Sequence, residues 1–384
     1  MHIAGTNGKG STAATLEALL VARGLRVGKY TSPHLVHFGE RILVDGEPVP
    51  ADVVTRFVGE HADAVERIGA TFFEATTALA LLHFARERVD VAVVEAGLGG
   101  RLDSTNVLTP LAAVVTTIGI DHTEYLGSTT AEIAREKAGI FKPGVPAVIG
   151  EGDPAVAAQL ADHARRAGAS EVRLLRDGDW PADVALDAAG TTFTLPGPGG
   201  GRVRYRTPLV GRHQAANAAL ALLTLDVLGP DFALDAGQRQ AALDRIRIAG
   251  RFDRRGRYVF DVAHNADGAA VVARTLAAVD PPRPVVALLA VLSDKDWRGM
   301  MTALAPHVDR FVLTVAPTAP ASRLWDPAEA AAFADAQGWS AQVVHDFEAA
   351  RAAADAGAGT VLVTGSFHTV GDVLARLPAP SGAG

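Results

Sequence analysis

The apolar positions of this chain fall into short unbroken runs separated by stretches of helical period. His2–Ala4, Arg26–Tyr30, Val89–Val94 and Ala112–Ile120 are such runs. They carry apolar residues without alternation, the mark of strands covered on both faces of a parallel sheet. Between them, Ser11–Arg23 places Leu16, Leu19 and Leu20 on one helical face and meets Gly24 as a stop signal. Phe72–Arg86 also has helical period, and residues 42–49 predict a hairpin about Asp45-Gly46. Residues 171–210 change texture and predict a small antiparallel excursion with a glycine-rich tip, followed by a helix over 213–229. The basic stretch 245–256 lacks a clear period and marks a junction. Alternation then restarts, with strands expected at Val259–Val262, Val285–Val291, Arg310–Val315, Gln342–Val344 and Thr360–Val363. Asp326-Pro327 caps a helix between two of them.

The first strand runs into AGTNGKGST, residues 4–12. The Walker spacing G-x-x-x-x-G-K-[ST] is not met, because Gly5 and Gly8 are three apart and Gly10 intervenes between Lys9 and Ser11. The physics of a phosphate cradle remains: a strand, a tight glycine turn with Asn7, and a helix N-terminus whose dipole favours an anion. Glycines permit close approach, Lys9 supplies a point charge, and Ser11 or Thr12 can cap the helix or reach a magnesium ion. The expected fold class is therefore α/β. A P-loop-type ATPase domain, with a mainly parallel sheet and the small antiparallel excursion, is expected over 1–246. A smaller doubly wound, Rossmann-like domain is expected over 247–384. The second half lacks G-x-G-x-x-G, so no dinucleotide site is expected there.

Composition narrows the chemistry. The chain has 384 residues, 48% of them apolar, with a net charge of −7. No general attraction to nucleic acid or membrane follows, so an anionic ligand needs local cations and N–H groups. The absence of cysteine excludes disulfides and thiolate metal sites. Met1 runs directly into the glycine loop, so no signal peptide is expected, and the cytoplasm is the expected compartment.

Polar residues gather where apolar runs end, as ligand-binding residues of open parallel sheets do. Thr31, Ser32 and His34 follow one run, Glu95 another beside Gly97, Gly99 and Gly100, and Asp121 and His122 a third. Ser32 and Glu95 offer the hard oxygen ligands magnesium takes. His122 suits softer metals, or a hydrogen bond to substrate. Thr129 and Glu132 have capping-box spacing, and Lys137 near that helix's end is equally consistent with a solvated surface lysine. Asp261, His264 and Asn265 open the second half at another strand end, with Asn265 or Asp267 placed to cap a helix; Gly365 and Ser366 follow a later strand.

AGTNGKGST, YTSPHLVHFGERI, TFFEATTALA, VVEAGLGGRLDSTNV, IGIDHTEYLGSTTAEIAREKAGIFKPG, GRHQAANAALAL, AGRFD and DVAHNADG occur in this order along both halves. Together they resemble the folylpolyglutamate synthase and dihydrofolate synthase family of the Mur ligase superfamily. The resemblance implies ATP- and magnesium-dependent ligation of L-glutamate to a pteroate or folate through an acyl phosphate, with small-molecule partners only and a monomeric chain. It implies that Gly8, Lys9, Gly10 and Ser11 cradle ATP, flanked by Asn7 and Thr12, and that Asn217, Arg251 and Asp261 contact the nucleotide. Ser32, Glu95 and His122 match magnesium ligands, and Lys137 matches a lysine carried as a carbamate on a second magnesium. Lys9, His122 and Lys137 would be catalytic. Thr71, Phe72, Phe73 and Glu74 match part of the pterin-side pocket, and His264 and Ser366 the glutamate side. The chain departs from the family pattern in two places: the family's segment ahead of the phosphate loop is expected to be missing, and His368 stands where tyrosine is frequent. The alternatives are another Mur-type ligase, such as one acting on a cell-wall peptide, and a nucleotide-binding module without catalysis.

Overall fold

Residues 1–377 are described in a computed structural model of the chain. Eight strands form its first sheet: β1 (His2–Ala4), β2 (Val27–Tyr30), β3 (Ile42–Val44), β4 (Glu47–Pro48), β5 (Val91–Glu95), β6 (Ala113–Val115), β7 (Ala147–Ile149) and β8 (Val172–Leu174). Their order is β4-β3-β2-β5-β1-β6-β7-β8, and only β3 and β4 run antiparallel to their neighbours. The hairpin between them turns at Asp45 (φ 51°) and Gly46 (φ 85°), the positive angles a two-residue turn needs. The helix Lys9–Ala22 crosses one face and buries Leu16, Leu19 and Leu20 completely against the helix Arg212–Leu228. That second helix is apolar almost all round because it lies between the sheet and the antiparallel strands.

Those strands are β9 (Ala182–Asp187), β10 (Gly190–Pro196) and β11 (Arg202–Thr207), ordered β11-β10-β9. Phe193 and Tyr205 anchor them in the first core. The expected excursion over 171–210 is therefore narrower than the sequence suggests, since Val172–Leu174 is the parallel edge of the main sheet. Two further expectations shift. The run Ala112–Ile120 is strand only to Val115, because Thr116 and Thr117 turn to hold the phosphate loop. The basic stretch near the junction contains a strand, β12 (Arg251–Arg255). The helix Ala51–Ile68, unassigned in the sequence, lies on the surface with Phe57 as its one buried residue, although Val53, Val54, Phe57, Val65 and Ile68 have helical spacing.

The remaining sheet is β12, β13 (Tyr258–Asp261), β14 (Val285–Leu289), β15 (Arg310–Leu313), β16 (Ala341–Val343) and β17 (Thr360–Thr364), in the order β12-β13-β17-β14-β15-β16. All pairs except β12–β13 are parallel. Helices Ala266–Val279, Trp297–Leu304 and Pro327–Ala336 cover one face; Phe347–Asp355 and Phe367–Leu374 cover the other. Asp326 accepts from Ala328 N at 2.8 Å ahead of Pro327. The loop after β2 joins the two halves: Leu35 packs against the second core beside Val370. Gly371 admits this contact, since a Cβ there would lie 2.1 Å from Leu35 O.

Truncating the fully buried Leu16 to Ala should cost about 2–5 kcal/mol. The urea transition of the first core, followed by tryptophan-independent far-UV circular dichroism, should move to lower denaturant by a corresponding amount.

Candidate active site

The phosphate loop is built by its neighbours. Thr116 Oγ1 donates to Asn7 O at 2.6 Å and Thr117 Oγ1 to the same oxygen at 3.2 Å. Gly8 takes φ 90°, and a Cβ there would stand 2.6 Å from Asn217 Oδ1. The helix that follows begins at Lys9, two residues before the sequence suggests, with no side-chain cap and no acidic residue in its first turn. The N–H groups of Lys9, Gly10 and Ser11 thus have no carbonyl one turn back to bond. An uncapped helix start beside glycines is a site for an anion.

This loop opens into a cavity of about 640 Å3 between the carboxyl ends of the two parallel sheets. Asn7, Gly8, Lys9, Gly10 and Ser11 line it, as do Ser32, Glu95, His122 and Lys137. From farther along the chain come Asn217, Arg251, Asp261, His264 and Ser366. Two groups of expected site residues lie elsewhere. Thr12 is buried behind the loop with its Oγ1 unpartnered. Thr71 and Glu74 cap the helix Phe72–Glu87 reciprocally, with Glu74 N to Thr71 Oγ1 at 3.2 Å and Thr71 N to Glu74 Oε2 at 2.7 Å. Phe72 is exposed with the Arg41 guanidinium 5.3 Å over its ring. Phe73 reaches the cavity wall only from beneath, where a Cβ on Gly97 would lie 2.3 Å from its ring.

Charge is concentrated where water is scarce. Lys9 Nζ lies 3.7 Å from Glu95 Oε1 and donates to Gly5 O at 3.0 Å. Burial pushes the Glu95 carboxyl up, against the pull of Lys9 and Arg251. Burial also lowers the Arg251 guanidinium and raises Asp261, whose carboxylate accepts from Phe252 N and Ala263 N, each at 2.9 Å. Lys137 is not a surface lysine. It is 5% exposed, bonds Gly5 O at 3.0 Å, and is drawn down to about 7 by burial and then by the Lys9 charge. His122 sits at φ 52° and is lowered to about 4 by burial, which leaves its imidazole neutral at pH 7.

Asp121 binds the halves together. It accepts from Lys295 Nζ at 2.7 Å and Asn265 Nδ2 at 3.0 Å, and lies 3.4 Å from His264 Nε2. Burial alone would raise this carboxyl; the bonds from His264, Lys295 and Asn265 hold it well below the usual range. Asn265 also caps the following helix through Gly268 N at 2.8 Å, so its capping and cleft roles coexist. Sequence reasoning missed Lys295, Arg274, Arg323 and His213, all on the cavity wall. Only Lys295 had a local signal, an Asp-Lys-Asp triplet that follows the buried run Val285–Val291 after Leu292 and Ser293.

The donor set fits magnesium held jointly with phosphate. Among the described residues no three His, Cys, Asp or Glu side chains form a protein-only metal cage. Magnesium does not need one, since it uses one or two carboxylates, substrate phosphates and water. Buried Glu95 with the Ser32 hydroxyl beside an open anion cradle meets that requirement.

Two lobes with parallel sheets closing on a phosphate cradle define an ATP-dependent ligase architecture, and the comparisons agree. The Mur ligase middle domain model matches residues 3–225, and the Mur ligase glutamate ligase domain model matches 245–367. The chain is 37% identical to the dihydrofolate synthase/folylpolyglutamate synthase of Escherichia coli K12, covering 100% of this chain and 87% of that protein. The structure of E. coli FolC in complex with DHPP and ADP superposes with a TM-score of 0.85 at 35% identity, covering 98% of this chain and 87% of that one. A bifunctional folylpolyglutamate synthase/dihydrofolate synthase with Mn, AMPPNP and L-glutamate bound superposes at 0.82, with 35% identity and coverages of 98% and 88%. The chain belongs to the dihydrofolate synthase/folylpolyglutamate synthase family of Mur ligases.

Gly8→Ala forces a side chain into the left-handed region at a cost of about 1–2 kcal/mol. ATP binding by calorimetry should weaken roughly tenfold, while circular dichroism stays that of the parent.

Proposed function

We propose that this chain ligates L-glutamate to dihydropteroate, to reduced folates or to both, driven by ATP through an acyl phosphate. One observation carries the reading: an uncapped helix start, Lys9 and buried Glu95 share a cavity with cations and imidazoles of the opposite lobe. A carboxylate is a poor electrophile with a poor leaving group, so activation has to precede amide formation. The acceptor's carboxylate oxygen attacks the γ-phosphorus and ADP departs. The amine of glutamate then attacks the acyl carbon and phosphate departs. The ligands of the relatives cover these reactants: DHPP and ADP in one, a nucleotide analogue, Mn and L-glutamate in the other.

In this reading the N–H groups of Gly8, Lys9, Gly10 and Ser11 hold the β- and γ-phosphates, with Asn7 setting the turn and Thr12 backing it. Lys9 neutralises charge as it develops on the transferring group. Asn217, Arg251 and Asp261 hold the nucleotide from the junction side. Ser32, Glu95, His122 and carbamylated Lys137 would hold magnesium, which offsets phosphate charge and polarises the phosphoryl group when bound. Lys137 suits the modification because a carbamate forms on a neutral amine, and its pKa of about 7 supplies one. His264 and Ser366 face the amino acid, and Thr71–Glu74 flank the pterin from beyond Gly97. Enclosure by the second lobe keeps water from the acyl phosphate. The lobes divide after residue 246, and the enzyme acts as a cytoplasmic monomer. Among the described residues no helix is long and apolar enough to cross a membrane.

With dihydropteroate or a reduced folate, ATP, magnesium and glutamate, mass spectrometry should detect a product one glutamyl unit heavier. Bound ATP with no product from either acceptor would favour a binding module. Lys9→Ala should lower kcat by about 10²–10³-fold. Isotope-labelled bicarbonate should give a carbamate NMR signal that grows as pH rises through about 7 and is missing from Lys137→Ala.

A further inference from the structure

The far wall of the cavity carries an imidazole whose orientation is set by a relay no step above uses. His368 lines the cavity on the helix Phe367–Leu374, beside Ser366 and opposite Arg323. Its Nδ1 lies 3.0 Å from Thr318 Oγ1, and Thr318 Oγ1 lies 3.2 Å from Asp372 Oδ2. The Thr318 backbone N–H donates to that same Oδ2 at 3.0 Å, which pins the threonine over the carboxylate. Asp372 is 4% exposed, so its charge is spent locally: on Thr318 and on Arg376, whose Nη1 stands 3.6 Å from Oδ1.

A threonine hydroxyl has one proton to give. A buried carboxylate is the stronger acceptor, so the proton points to Asp372 and the Thr318 oxygen accepts from Nδ1–H of His368. The tautomer is thereby assigned, and the lone pair of the imidazole sits on Nε2. The same logic, in which a third group orients a base through hydrogen bonding, underlies many acid–base sites.

The proposed ligation needs such a group. Glutamate arrives as an ammonium ion, and an ammonium has no lone pair with which to attack an acyl phosphate. Most other basic groups on the cavity wall are occupied or cationic: Lys295 is bonded to Asp121, and His264 uses Nδ1 on Val262 O at 2.9 Å while its Nε2 faces Asp121. Resting on the ligase reading above, we propose that His368 is a further catalytic residue, the proton acceptor for the incoming amine, and that Thr318 and Asp372 are its positioning residues.

The step balances as follows. His368 Nε2 takes one proton from the ammonium and becomes imidazolium. The freed nitrogen lone pair forms the C–N bond, and the C–O bond to phosphate breaks with its electron pair leaving on oxygen. The second nitrogen proton leaves on the departing phosphate, and His368 returns its own to solvent. Three groups face the ring: Asp372 from its own helix, Arg323 from the loop before Trp325, and His34 from the first lobe. Burial keeps the imidazole below its ordinary value and Arg323 adds to this, against Asp372, so the base form is present at neutral pH.

Hydroxylamine separates this role from the ligase reading, because it is unprotonated at neutral pH and traps acyl phosphates as hydroxamates without a base. His368→Gln should lower glutamate ligation by about 10²-fold and hydroxamate formation far less, with the remaining ligation climbing at alkaline pH. Asp372→Asn removes a charge that favours imidazolium, so the acid limb of the kcat profile should move to lower pH, and Thr318→Val should reduce ligation with hydroxamate yield again less affected. Equal loss of both products in His368→Gln, or no loss of either, overturns the assignment. If the parent enzyme makes glutamylated product but no hydroxamate, the acyl-phosphate route fails. If it makes neither, the ligase reading fails with it.

Discussion

Everything in this molecule is arranged around a helix that starts without a cap. Helix ends normally satisfy their own open N–H groups with a Ser, Thr, Asp or Asn side chain, as nine other α-helices among the described residues do through residues such as Asp153, Asp235, Asn265 and Ser366. At Lys9 the cap residue is a glycine in the left-handed region, and the first turn holds no acid. The chain keeps that end open by bonding Asn7 O to Thr116 and Thr117 and by bringing the helix Arg212–Leu228 close enough that only glycine fits at residue 8. An open positive end, buried at the rim of a parallel sheet, is a standing demand for an anion.

The charges nearby follow from that demand. Lys9 and Lys137 both donate to Gly5 O, buried Glu95 lies 3.7 Å from Lys9, and Arg251 lines the same cavity. Three basic side chains and a carboxylate crowded into one cavity have perturbed protonation: Lys137 falls toward neutrality and Glu95 is pushed up. These perturbations suit a cavity that binds phosphate with a divalent ion, whose charges would compensate those of the protein. The second lobe completes the enclosure. Asp121 from the first sheet is gripped by Lys295 and Asn265 from the second, so the rims of the two sheets face each other across the cavity.

Much of this was legible before any coordinates. Buried parallel strands have no solvent face, so their apolar runs stand out, and β1, β2, β5, β13, β14, β15 and β17 lie within a residue or two of where the runs place them. The glycine loop declares itself because close backbone approach requires glycine at defined positions. The strand β12 was illegible because an edge strand with three arginines and an aspartate in five residues carries no apolar run, whereas the surface helix Ala51–Ile68 has helical spacing at Val53, Val54, Phe57, Val65 and Ile68 and was passed over. Thr71–Glu74 shows how a local rule can be overlooked, for its capping-box spacing is the same as that of Thr129 and Glu132.

The order of residues thus determined the local states: which runs become strands, where helices start, which turn approaches an anion. Tertiary structure alone decided which side chains meet. Lys137 reads in sequence as a solvated lysine at a helix end; packing buries it beside Lys9 and lowers it to about 7. Asp121, Lys295, Arg323 and His368 are separated by tens to hundreds of positions and share no spacing rule. They converge because two parallel sheets present their carboxyl ends to one another, a placement no property of an isolated residue contains.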